Sequence, residues 1–118
     1  MTLADLRWGR VIAGGVLAEL GVFAIVLPVQ RFFGQQAFLV AILIASFAMP
    51  FVFGLWASRR AESHIVLHGV LVGAIAALVY IAVAWGQPEP LLHKIAHGLK
   101  LAGGWLGGVQ AERRRAYI

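Results

Sequence analysis

Four long apolar stretches separated by short polar ones make up this chain. A membrane-spanning helix needs about 20 apolar residues. The pattern predicts such helices at about 8–28, 37–56, 65–85 and 91–110. In the polar start, Asp5 is placed to cap the first helix or sit in its first turn, where the helix dipole favours an acid. Trp8 takes an interfacial position. Pro28 is expected to end the first span, because proline cannot continue the backbone ladder. A loop over 29–36 with Arg31 and two aromatics follows. The second span has Ser46 as its polar side chain and Pro50 as a predicted kink. Residues 57–63 form the next loop. Span three opens with His64 and His68, and its Gly69, Gly73 and Ala77 recur every four residues, the spacing of close helix contact. The turn over 86–90 has two prolines and a glycine, with Pro90 suited to the first turn of the fourth helix. A short echo of Gly15-Val16-Leu17 in Gly69-Val70-Leu71 is near chance level.

Composition agrees with this pattern. Of 118 residues, 61% are hydrophobic and 13% charged, where soluble domains have about 25% charged. The net charge of +5 does not point to nucleic acid, because the arginines flank the apolar stretches. Arg7 and Arg10 precede span one, Arg59 and Arg60 follow span two, and Arg113, Arg114 and Arg115 follow span four. With four crossings all lie on one side, which the positive-inside rule assigns to the cytoplasm, together with both termini. Three crossings would export the last arginines. That run could also contact anionic lipid. The absence of cysteine excludes disulfides, thiolate ligands and thiol nucleophiles. The run from Val11 to Gln30 is too long for a cleavable signal and lacks a small-residue cleavage site, so it is expected to be retained.

The fourth stretch is the unusual one. Its first half carries His93, Lys94, His97 and Lys100, and its second half Gly103, Gly104, Gly107 and Gly108. His93, His97 and Lys100 share one helix face. A charge at mid-helix costs roughly 2.5–3.5 kcal/mol on insertion. Lys94 can snorkel, but Lys100 is deep. Glu19 lies ~16 Å from the start of span one and Lys100 ~14 Å from the start of span four, at 1.5 Å per residue. In a core of ~30 Å both reach the midplane. An ion pair between Glu19 and Lys100 is therefore expected. It would serve as a structural tie that lets span four insert, or as part of a polar pathway with His97 and His93. The alternatives are that the two do not meet within one chain, or that 91–100 lies at the interface as an amphipathic segment. The overlapping pairs Gly103/Gly107 and Gly104/Gly108 predict close packing, either within the chain or between copies.

His64/His68 and His93/His97 each have ligand-compatible spacing, but the two pairs fall more than ~15 Å apart in depth. Each offers two ligands, below the three or four of a zinc site. No metal or cofactor is expected. No phosphate loop, catalytic triad or carboxylate pair is present, and four of the five acids lie outside the spans. No enzyme is expected. The segment Leu17-Ala18-Glu19 in a short four-span chain resembles the small multidrug resistance transporters, in which a membrane-embedded Glu binds protons or cations. The parallel is architectural and covers three residues. Span two lacks an aromatic cation cage, and Lys100 would oppose a cationic substrate.

The expected fold is an all-α, integral membrane four-transmembrane-helix bundle with both termini inside, one membrane domain over 1–118, in a plasma membrane of bacterial type. The expected function is a non-enzymatic accessory or structural subunit of a membrane assembly. The alternative is a homo-oligomeric transporter or channel for an ion or small solute, built on Glu19, Lys100, His97 and His93.

Overall fold

Apolar runs of this length bury their backbone polar groups by forming helices, and the described residues hold four. The structure, a computed structural model, describes residues 6–61, 63–87 and 91–116, excepting the side chains of 115 and 116. The helices are α1 (Trp8–Phe33), α2 (Gln35–Ser58), α3 (Ile65–Val83) and α4 (Leu91–Ala116), with no strand among the described residues. Three of them, α1, α2 and α3, are long and apolar enough to cross a membrane. The chain is thus a small helical protein with three candidate membrane spans. The roles expected of Asp5 and Pro90 lie outside the described residues.

The first helix does not end at Pro28. It continues to Phe33, with Pro28 inside it. A proline removes one backbone hydrogen bond, whereas unwinding in apolar surroundings would strand several groups. The expected loop over 29–36 shrinks to Gly34. Its φ of 89° lies in the region glycine tolerates, so the chain reverses within one residue. The Gly34 N–H donates to the Gln30 carbonyl, and the Gly34 carbonyl accepts from Phe38 N–H. At the other extreme, α4 runs six residues beyond 110 and takes in the arginine run.

The helices alternate in direction. Gly14 of α1 lies against Phe53 and Ala57 of α2, and Gly21 against Met49, an antiparallel register. Gly103 and Gly107 of α4 lie against Phe47 and Phe51 of α2, a parallel register. Gly69 and Gly73 of α3 meet Gly104 and Lys100 of α4, again antiparallel. In cross-section the order is α1, α2, α4, α3. The helix α4 packs on α2 and α3, α2 and α3 also touch, and α1 and α4 stand diagonally opposed without backbone contact among the described residues. Two apolar clusters fill the interior, one around Ala18, Ala57, Val72 and Ala76, the other around Val22, Val26, Ile42 and Ala45.

Candidate functional site

The close packing of α4 is what brings Lys100 to the interior. A Cβ on Gly73 would collide with the Lys100 carbonyl, so the absent side chain lets the α4 backbone approach α3 at this level. Gly104 meets the Gly69 carbonyl, Gly108 lies on Val66, and Gly103 and Gly107 lie on the Phe47 and Phe51 carbonyls. Gly103, Gly104, Gly107 and Gly108 thus face two neighbours alternately and wedge α4 between α2 and α3. A lysine on a helix seated so deeply points into the bundle.

From there Lys100 Nζ donates to Glu19 Oε1 at 2.9 Å. The two side chains are 2% and 0% exposed, so the pair is shielded from outside. It bridges the diagonal that the backbones of α1 and α4 leave open. The second carboxylate oxygen, Oε2, is buried and accepts no hydrogen bond among the described residues. Tyr80 of α3 completes the cluster. Lys100 Nζ lies 4.9 Å from the centre of its ring, within cation–π range. Its hydroxyl is 2.6 Å from His93 Nδ1. Its ring stacks on Phe23 at 6.0 Å and lies 5.2 Å from the His97 ring. Glu19, Lys100, His93 and His97 therefore converge around a residue the apolar pattern had hidden. The signal was present in the hairpin geometry. Tyr80 with His93, Gly73 with Lys100, and Gly69 with Gly104 are each symmetric about the α3–α4 turn, as an antiparallel hairpin requires.

A cavity of about 190 Å³ adjoins this cluster. Glu19, Lys100, Tyr80 and His93 form its polar wall, and Phe38 and Ile42 of α2 face them. Along α1 the lining steps through Val22, Phe23, Val26 and Leu27 to Gln30, the last two exposed. The space therefore runs from the Gly34 end of the bundle to the ion pair, ~16 Å along α1. Toward the other end the glycine contacts close the interior.

The remaining histidines belong to that other end. His64 starts α3 with a left-handed φ of 52°. His68 is fully buried, with Nδ1 2.8 Å from the His64 carbonyl. A carbonyl only accepts, so Nδ1 carries the hydrogen and Nε2 accepts from the Arg7 N–H at 3.0 Å. His68 thus fastens the start of α1 to α3. It does not meet His93 or His97, and no group of three potential metal ligands forms among the described residues. Arg10 also has a packing partner that sequence reading overlooked: its guanidinium lies 4.0 Å over the Trp56 ring and donates to the Trp56 carbonyl. No protein-family model, curated protein or solved structure matches this chain.

Proposed function

We propose that the chain is a non-enzymatic integral membrane protein, an accessory or structural subunit of a membrane assembly, that crosses four times with both termini in the cytoplasm. One observation carries this reading: the deepest charge of α4, Lys100, is engaged by Glu19 across the bundle diagonal. A cation so engaged no longer opposes insertion as an isolated charge would. Alternating helix directions and the arginines at one end agree with the orientation. The chain's own charges serve to hold a compact helical unit together, and a unit of this size presents its remaining apolar surface to lipid and to neighbouring subunits. The test is the native mass of the tagged protein extracted in mild detergent from its own membranes. A defined complex with other membrane subunits is expected; a stable small homo-oligomer would overturn the reading.

The cavity favours a second reading, a homo-oligomeric transporter or channel for an ion or small solute. Glu19 lines its inner end with Tyr80 and His93, and Glu19 Oε2 has no hydrogen-bond partner among the described residues. A hydrogen-bond donor entering from the Gly34 end would find its acceptor there. Flux in liposomes decides it. Transport by the wild type that Glu19→Gln abolishes supports the pathway, and no flux by either protein removes it.

A further inference from the structure

A groove lies away from the ion pair, where the parallel helices α2 and α4 end side by side. It encloses about 560 Å³ between Val52, Leu55, Trp56, Arg59 and Arg60 of the α2 end and Ala111 and Arg114 of α4. Its lining is ordered by chemistry. Val52 lies nearly two turns and Leu55 about one turn inside the end of α2, Trp56 follows, and Arg59, Arg60 and Arg114 stand at the rim, all three exposed. Ala111 keeps the α4 wall low, and Arg10 stacked on the indole fixes the position of Trp56. A free phosphate would use the rim and leave the apolar wall bare. An uncharged lipid would use the wall and leave the charges of Arg60 and Arg114 unused. We propose that this groove binds one anionic phospholipid, its phosphate held by Arg60 and Arg114 and its upper acyl chain lying on Val52, Leu55 and Trp56.

Arg60 lies in the turn that follows α2, and Arg114 lies on α4. The site therefore exists only in the folded bundle, unlike a charge run such as 113–115 acting alone. Glu112, two residues before Arg114 in sequence, is not among the residues that line the groove. Guanidiniums at an anionic surface each contribute about five-fold in binding. The inference rests on the membrane placement of α2 and is independent of the Glu19–Lys100 reading.

The test uses the full chain in phosphatidylcholine vesicles that contain a minor fraction of phosphatidylglycerol with brominated acyl chains. The readout is quenching of the Trp56 emission, obtained by difference from Trp56→Phe. Brominated phosphatidylglycerol is expected to quench at a much lower fraction than brominated phosphatidylcholine. Arg60→Gln with Arg114→Gln should weaken that preference by about 25-fold. Arg31→Gln, at the opposite end of the bundle, should leave it intact and controls for net charge. Equal quenching by the two lipids would overturn the proposal. So would an unchanged preference in the double variant that elutes as a folded, monodisperse species, or displacement of phosphatidylglycerol by inorganic phosphate.

Discussion

Replacing Lys100 by methionine removes one member of a fully buried pair and leaves Glu19 to face the interior alone. At 2.9 Å and an effective dielectric constant of ~20, the attraction between the two charges is about 6 kcal/mol. Against it stands the desolvation of two ions, several kcal/mol each. The intact pair therefore contributes little net stability. Its asymmetry is the testable part. Lys100→Met should destabilise the bundle by about 3–5 kcal/mol, and Glu19→Leu by a similar amount. The double variant, in which two apolar side chains meet across the same diagonal, should fall within about 1 kcal/mol of the wild type. Reversible unfolding in mixed micelles titrated with SDS, followed by tryptophan fluorescence, supplies the four free energies of the cycle. Additive single effects, within about 0.5 kcal/mol, would refute the coupling. A double variant as unstable as the singles would refute the claim that the pair is replaceable by packing.

Two further perturbations use the same titration. Gly104→Val should cost about 1–3 kcal/mol, because the new side chain meets the Gly69 carbonyl and the Gly73 nitrogen; Gly98→Ala meets nothing within 4 Å and should be neutral or gain about 0.4–1 kcal/mol. Tyr80→Phe keeps the stack on Phe23 and loses the hydroxyl bond to His93, so a loss of about 0.5–1.5 kcal/mol is expected. Topology is open to a membrane-impermeant maleimide, since the chain has no native thiol. Ser63→Cys and Tyr117→Cys should label from the cytoplasmic side and Gln87→Cys from the outer side; labelling of Gln87→Cys and Tyr117→Cys from one face would mean that α4 does not cross.

Much of the architecture was legible because helices long and apolar enough to cross a membrane leave long apolar runs in the sequence. What misled was Pro28. Read locally it stops a helix, but the local cost of one hydrogen bond is small beside the cost of exposed backbone in apolar surroundings. The meeting of Glu19 and Lys100 followed from depth alone. Depth fixes level and not neighbourhood, so nothing in it indicated that the two helices stand on a diagonal, or that Tyr80 lies beside the pair. The arginine run at 113–115 was read as a strip of charge. A groove shared with Arg59 and Arg60 requires knowing that α2 and α4 are parallel neighbours, and that follows from the glycines only once their partners are known.

The diagonal arrangement also explains why the cavity lies on one side of the ion pair. Below Lys100, four glycines draw the α4 backbone against α2 and α3, while Gly14 and Gly15 draw α1 onto α2 and α3. Those contacts bring the helices together at the arginine end. Above Lys100 the α4 face holds His93 and His97 in place of glycines, and α1 faces it with Val22, Phe23 and Val26. Larger side chains line this half, and Gly34 joins α1 to α2 at its end. Glycine placement thus brings the helix backbones together in the interior on one side of the charges, while a cavity adjoins the charges on the other. Filling the cavity and closing it by tighter packing are therefore different perturbations. Val26→Phe would occupy the space and leave the Glu19–Lys100 contact intact, whereas a glycine at position 97 would permit closer approach of α4. The first separates loss of the cavity from loss of the ion pair, which substitutions of Glu19 alone cannot do.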